Sequence, residues 1–147
     1  MERIKTKIND NKVMGKGLSS ESKLMVSVES VMRSPPVTVS FSDTVSTIVD
    51  KMVTRNIGAI IVESGGKPVG IITERDILER VIRANKDPNK TKATDIMSSP
   101  IITIESDKTL TDALKIMREK RIRRLVVTRG GNLTGIITER RILDSLV

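Results

Sequence analysis

The chain has no cysteine, histidine, tryptophan or tyrosine, and a single phenylalanine among its 147 residues. Each absence removes a class of chemistry. Without Cys or His there is no disulfide, thiolate nucleophile, imidazole base or ordinary zinc site. With one aromatic side chain, base stacking on an aromatic platform, the usual grip on single-stranded nucleic acid, is nearly excluded. Long apolar runs are missing too: no stretch approaches the ~20 residues of a membrane span. Met1-Glu2-Arg3 leads into no signal-type apolar segment. The expectation is a soluble, cytoplasmic protein with no membrane partner.

What is present is aliphatic and basic. The length suits one compact domain or two small units sharing a core. At 37% hydrophobic the chain can bury such a core, built from Ile, Val, Leu and Met. The formal net charge is +8, which favours anionic partners. It is unevenly placed. Residues 31–80 carry six basic and six acidic side chains, whereas 96–147 carry ten basic and six acidic.

The chain is one unit written twice. Gly70-Ile71-Ile72-Thr73-Glu74-Arg75 recurs as Gly135-Ile136-Ile137-Thr138-Glu139-Arg140, a shift of 65. The same shift superimposes Met32 on Met97, Pro35 on Pro100, Thr38 on Thr103, Met52 on Met117 and Gly65-Gly66 on Gly130-Gly131. Between 31–80 and 96–145 about 18 of 50 positions are identical without a gap, a fixed-period self-similarity that dictates the architecture.

Each copy predicts the same elements. A short extended piece, Val37–Val39 or Ile101–Ile104, precedes a helix. In that helix Val45, Ile48, Val49, Met52 and Val53, or Leu110, Ala113, Leu114 and Met117, fall on one face. Ser42/Asp43 or Ser106/Asp107 are the expected caps. A buried strand, Ala59–Val62 or Leu125–Val127, turns at Gly-Gly into a second strand reaching Ile72 or Ile137, a hairpin signal because both turn glycines accept φ > 0. A last helix starts near Thr73 or Thr138 and carries Ile77, Leu78, Val81 and Ile82, or Ile142, Leu143 and Leu146. The fold class is α+β (mixed α/β): two β-α-β-β-α repeats, too small to be secure singly, packed as a pseudo-twofold pair that shares its sheet faces. The boundaries are a basic flexible arm at 1–24, repeat 1 at 25–82, a polar linker at 83–94 and repeat 2 at 95–147.

The duplicated Gly-Ile-Ile-Thr-Glu-Arg ending, with Asp76-Ile77 after the first, and the Asp95-Ile96-Met97…Pro100…Thr103 opening resemble the cystathionine β-synthase (CBS) domain in its tandem arrangement, the Bateman module. The resemblance covers about residues 26–147. It implies a disc-like pair that commonly forms homodimers, binds adenosine nucleotides or related adenosyl compounds between the repeats, and regulates another protein without catalysing. No cofactor is required; the adenine nucleotide is a regulatory ligand.

The resemblance also implies roles. Asp76 would accept from the ribose hydroxyls, as the acid of a dinucleotide fold does, with Thr73 near the phosphates. Thr38 with the backbone of Asn56, Ile57 and Gly58 would frame the base. Arg121, Arg123 and Arg124 would face it from repeat 2, with Arg123 best matched to the phosphate position and its planar fork suited to phosphate oxygens. The second cleft, with Thr103 and Thr138, has Arg141 where the acid should be and Gly58 where Arg123 has its match. The expectation is one competent nucleotide site and a second that is weak, altered or empty.

Plainer roles stand beside these. Thr73 and Thr138 could simply be helix N-caps, with Glu74 and Glu139 favourable in the first turn. Asp76 could be a solvated first-turn acid, and the Arg121–Arg129 arginines a soluble face. Arg141 has Asp144 and Glu139 within reach on its own helix. Two other functions compete: nucleic-acid binding by the basic arm and basic second repeat, resting on charge alone, and an assembly adaptor with vestigial clefts. An enzyme is not expected, since nothing marks a nucleophile, a poised base or a metal-ligand cluster.

Overall fold

The computed structural model describes residues 19–147. The expected arm, 1–24, therefore lies outside the described residues up to its last turn, a short helix α1 (Ser20–Leu24) whose Leu24 packs against the core of the second repeat.

Each repeat builds one three-stranded sheet. In the first, β1 (Thr38–Ser40) pairs parallel with β2 (Ala59–Ser64), which pairs antiparallel with β3 (Lys67–Thr73). In the second, β4 (Thr103–Glu105), β5 (Arg124–Arg129) and β6 (Asn132–Thr138) repeat the order. Even the irregularities agree: the register shifts between Val62 and Glu63 and again between Val127 and Thr128. Both turns are made by glycine pairs at positive φ, 58° and 80° at Gly65-Gly66 and 58° and 84° at Gly130-Gly131. L-residues adopt such angles at a cost, which glycine avoids.

The long helices are α2 (Val45–Arg55) and, in the second repeat, α5 (Leu110–Lys120). Their caps are Thr44 and Thr109, not the expected Ser42/Asp43 and Ser106/Asp107. The Thr44 hydroxyl accepts from Thr47 N, and Thr109 forms a reciprocal box with Asp112. Asp43 is otherwise engaged, its Oδ2 accepting from Ser40 N at 2.8 Å to close the preceding turn. Both helices end on a left-handed residue, Asn56 and Arg121. The last helix of repeat 1 is α3 (Glu74–Ile77), which continues as a π-helical turn through Leu78–Ile82; its counterpart is α6 (Glu139–Ser145). Val81 is buried and Ile77 half-buried, while Leu78 and Ile82 face outward.

The core is split. One buried cluster gathers Val39, Val45, Ile48, Met52, Ile60, Val62, Ile72 and Val81 of repeat 1. The other gathers Ile104, Leu110, Ala113, Met117, Leu125, Val127, Ile137 and Ile142 of repeat 2. Shared sheet faces are thus only part of the packing: each cluster lies between a sheet and helices, and alternation along the central strands turns buried Ile61 and Val126 to the opposite side.

What locks the repeats together is an exchange of lead-in segments. The 3-10 turn Val28–Ser30 opens repeat 1, yet Val28 is buried in the second cluster and its N–H donates to Lys108 O at 2.7 Å. The helix α4 (Ala93–Ile96) precedes repeat 2, yet Ala93 and Ile96 are buried in the first cluster, with Ala93 N bonded to Asp43 O at 2.9 Å. The bridges are reciprocal: Ser27 with Thr109 and Lys92 with Thr44, then Arg33 with Ile136 and Ser98 with Ile71. Glycine makes room for the crossing. A Cβ on Gly70 would lie 2.5 Å from Met97 Sδ, and one on Gly135 2.6 Å from the Arg33 carbonyl oxygen. The polar linker is likewise docked, with Val45 N donating to Thr91 O and Ser46 N to Pro88 O.

Candidate functional site

Two clefts open between the repeats, one at the start of each last helix. In the first, of about 590 Å³, Thr73 and Asp76 stand on one wall and Ile101, Ile102 and Arg121–Arg124 on the other. The volume falls within the roughly 300–1,000 Å³ typical of small-molecule sites. Thr73 is the N-cap of α3 and Asp76 closes its capping box. Asp76 Oδ2 accepts from Thr73 N at 2.8 Å and from the Thr73 hydroxyl at 3.1 Å, while Asp76 N donates back to that hydroxyl at 3.3 Å.

Asp76 is thus buried, at 8% exposure, and is no solvated first-turn acid. Its second oxygen, Oδ1, lies 3.9 Å from Arg80 Nε and accepts no hydrogen bond among the described residues. The cap thus engages one oxygen by hydrogen bonds, and the other has only this long contact with Arg80. Arg80 does a second job: its Nη1 donates to the carbonyls of Ile96 at 3.0 Å and Met97 at 3.2 Å, pinning the crossed lead of repeat 2.

Across the cleft, Arg121 ends α5 at φ 56°, Arg123 is exposed and Arg124 half-buried. Two of the cleft's arginines have carboxylate partners. Arg75 Nε lies 2.8 Å from Glu79 and Arg123 Nε 3.9 Å from Glu139.

The second cleft, about 280 Å³, contains Thr138, Ile57, Gly58, Arg33, Arg124, Arg140, Arg141 and Asp144. Thr138 caps α6 by accepting from Arg141 N at 3.1 Å. Arg141 pairs with neither Asp144 nor Glu139. Its Nε donates to the Val31 carbonyl, and so pins the crossed lead of repeat 1. Arg124 belongs to both clefts: it lines each, and its Nη2 lies 3.7 Å from where a Cβ would stand on Gly58.

The residues expected around the first cleft are therefore partly redistributed. Thr73, Asp76, Arg121, Arg123 and Arg124 share it. Ile57 and Gly58 line the opposite cleft, and Asn56 an outer depression on the helix face. Thr38 sits in a separate hollow, its hydroxyl donating to Glu63 at 2.7 Å. Thr103 is exposed and lines neither cleft. The cause is the exchange of leads. Residue 33 runs along the second sheet at Ile136, and the start of β2, although Ala59 is paired with Thr73, lines the same cavity as Arg33 and Thr138. By the same token the first cleft takes its frame from Ile101, Ile102 and Ile122. Sequence comparison missed Ile101 and Ile102 as parts of the site, and it missed Arg33 and Arg140. The signal for Arg33 was slight: the shift of 65 sets it against a serine, Ser98.

Among the described residues no group of three or more His, Cys, Asp or Glu is placed to hold a metal ion, and no helix is long and apolar enough to cross a membrane.

Comparison with known proteins agrees with this architecture. The CBS domain family model matches twice, at residues 28–83 and 93–147. An uncharacterized protein of Methanopyrus kandleri, MK0525, is 43% identical over 121 residues, covering 81% of this chain. The chain spans only 62% of that relative's own length. Among solved structures, an uncharacterized conserved protein from Pyrococcus horikoshii superimposes with a TM-score of 0.76 at 25% identity, over 83% of this chain and 92% of that one. A hexameric CBS-CP12 protein from bloom-forming cyanobacteria gives a TM-score of 0.74 at 28% identity, over 82% of this chain and 67% of that one.

Proposed function

The chain belongs to the CBS-domain family and carries two such domains, and on that premise we propose that it is a non-catalytic sensor of adenine nucleotides or related adenosyl ligands. One observation carries the reading: buried Asp76, with one oxygen outside its capping box, shares a cavity of about 590 Å³ with Arg121, Arg123 and Arg124 of the other repeat. A cis-diol needs a fixed acceptor, and phosphates need guanidinium forks. The first cleft offers both from opposite walls. Ligand bound there bridges the repeats, so any difference in affinity between two packings shifts their populations. The adenine would lie against Ile101, Ile102 and Ile122, by apolar contact and not by aromatic stacking.

The response must leave the cleft, and a homodimer is the proposed route. Val53, Leu78 and Ile82 are large, apolar and exposed at 74%, 61% and 65%. Val53 and Leu78 border an apolar depression with Val49, Met52 and Ile77 on the helix face. Their burial against a second copy would place the dimer contact directly behind α3, the helix whose cap holds Asp76. The regulated protein is a further partner that this face or a neighbouring one would meet.

Isothermal titration with AMP, ADP, ATP and S-adenosylmethionine tests the proposal. Binding of at least one, abolished together with any ligand-induced change in sedimentation when Asp76 is altered, supports it. No binding by any of them at millimolar concentration overturns it.

A further inference from the structure

We propose that the second cleft is a site for a condensed phosphate, pyrophosphate or longer, that needs no attached nucleoside. The inference rests on what the cleft holds and what it lacks. Arg33, Arg124, Arg140 and Arg141 line one cavity of about 280 Å³, and Asp144 is the lone carboxylate among its lining residues. The ion pairs of the described residues are Arg75–Glu79, Arg80–Asp76, Arg123–Glu139 and Arg129–Glu29, and none of the four cavity arginines is in them. The first cleft, by contrast, has Arg75 and Arg123 beside glutamates. Glu74 comes near Arg124 at Gly58, but among the lining residues four guanidiniums stand against one carboxylate, and such an excess of like charge in a concavity raises the local potential for an anion.

The missing part decides which anion. At the position of Asp76 the second repeat has Arg141, a donor only, and its Nε is committed to the Val31 carbonyl. No acceptor for a ribose diol stands at that position. The cavity is also less than half the volume of the first and lies below the usual range for a nucleotide-sized ligand.

Charge selects within the phosphates. The lining carries a net three positive charges, four arginines less Asp144. A single phosphate group brings about −1.5 to −2 at neutral pH and leaves an excess. Two or three linked phosphates match it and present enough oxygens for several two-pronged guanidinium contacts. Arg33 and Arg140 are exposed, and because Arg33 pairs with Ile136 the two stand on the same half of the molecule, facing Ile57 and Gly58 across the cavity.

The proposal does not depend on nucleotide binding in the first cleft, and its test keeps the two apart. Inorganic pyrophosphate is titrated into the full chain by calorimetry and 31P NMR. The wild type and the Arg33→Ser/Arg140→Ser and Arg121→Ser/Arg123→Ser variants, each short of the same two positive charges, are compared at fixed ionic strength. Serine is what repeat 2 itself carries opposite Arg33, so the first substitution preserves a tolerated backbone. The expected result is submillimolar pyrophosphate binding that weakens at least tenfold in Arg33→Ser/Arg140→Ser and changes less than twofold in Arg121→Ser/Arg123→Ser. Absence of binding at millimolar pyrophosphate overturns the proposal. So does loss confined to the Arg121/Arg123 variant, which would place the anion in the first cleft, or equal loss in both, which would mean bulk charge. Adenosine competing with pyrophosphate would likewise defeat the claim that no nucleoside is recognised.

Discussion

The two repeats solve one mechanical problem with different residues, and the difference sets the chemistry of each cleft. Each last helix must hold down the lead of the other repeat. In the first repeat Arg80 does so, reaching the Ile96 carbonyl at 3.0 Å. In the second Arg141 does so, reaching Val31, which the shift of 65 makes the equivalent of Ile96. The arginine has moved within the helix. The counterpart of Arg80 is Ser145, which bonds only the Ile142 carbonyl of its own helix. The strap at Arg141 occupies the position where the first repeat keeps its acid. A structural tether thus stands in the second cleft at the position where the first keeps its buried carboxylate.

The comparison breaks most forcefully at the crossing itself. Gly70 and Gly135 are equivalent and each faces the equivalent methionine, but at one of them backbone is in the way too. A Cβ on Gly70 would meet the Met97 side chain, whose Sδ can shift, whereas one on Gly135 would meet Met32 Sδ at 2.8 Å and the backbone oxygen of Arg33 at 2.6 Å. Overpacking costs about 1–3 kcal/mol and more where nothing can move. Gly135→Ala is therefore expected to cost about 3 kcal/mol in chemical denaturation and Gly70→Ala about 1 kcal/mol. Equal costs would show that the crossing of the first lead is as yielding as that of the second.

That crossing is also where the sequence stops being legible. The repeat, both hairpins, the long helices and the Thr73 and Thr138 helix starts follow from pattern and turn chemistry alone. The exchange does not. Val28 and Ala93 are equivalent, and so are the elements they pack on, so a shift of 65 reads identically whether each lead folds on its own repeat or on the other. Periodicity records which residues are buried, not which copy buries them. The misplacement of Ile57 and Gly58 descends from that degeneracy, as does the omission of Arg33. The helix caps failed for a more local reason: three cap-competent residues, Ser42, Asp43 and Thr44, stand in a row, and only the closure of the Ser40–Asp43 turn decides among them.

The next largest effect is expected at Asp76. Asp76→Ala removes the proposed diol acceptor and the capping box together, and nucleotide affinity should fall well beyond tenfold. Asp76→Asn separates the two roles, because its amide oxygen can still accept from Thr73 N. Stability close to wild type with affinity still strongly reduced would assign the loss to the ligand. Retained affinity in Asp76→Asn would reduce Asp76 to a cap, worth about 0.5–2 kcal/mol of helix stability.

The difference between the clefts can also be transplanted. Arg141→Asp with Ser145→Arg gives the second repeat the arrangement of the first, an acid after the threonine and the strap one turn later. The expected outcome is a second AMP equivalent in calorimetry, weaker than the first because the cavity is smaller. Arg141→Asp alone should lose stability, since it removes the bond to Val31. A stoichiometry that stays at one in the double variant would mean that the carboxylate is not what distinguishes the clefts.

The smallest effect concerns a carboxylate that lies on different strands in the two halves. In repeat 1 Glu63 on β2 accepts from Thr38 on β1 at 2.7 Å. In repeat 2 the polarity is reversed: Glu105 on β4 accepts from the Thr128 hydroxyl on β5 and, at 2.9 Å, from Gly130 N in the hairpin turn. The Thr128 hydroxyl first, and the Gly130 N–H second, hold the Glu105 carboxyl below its usual value of 4.5. A carboxyl depressed in the folded state stabilises the fold above its unfolded value and loses that contribution as pH falls through the folded one. The second hairpin should therefore loosen only in acid, below pH 4.5. A 13C titration of the Glu105 carboxyl checks this: a midpoint below 4.5 in the wild type, rising toward it in Thr128→Val, is the expected result. Glu105 is only half-buried, which keeps the effect on overall stability slight. An unchanged midpoint in Thr128→Val would show that the Gly130 turn alone sets the shift, and the strand-to-strand hydroxyl would then be dispensable to the clamp.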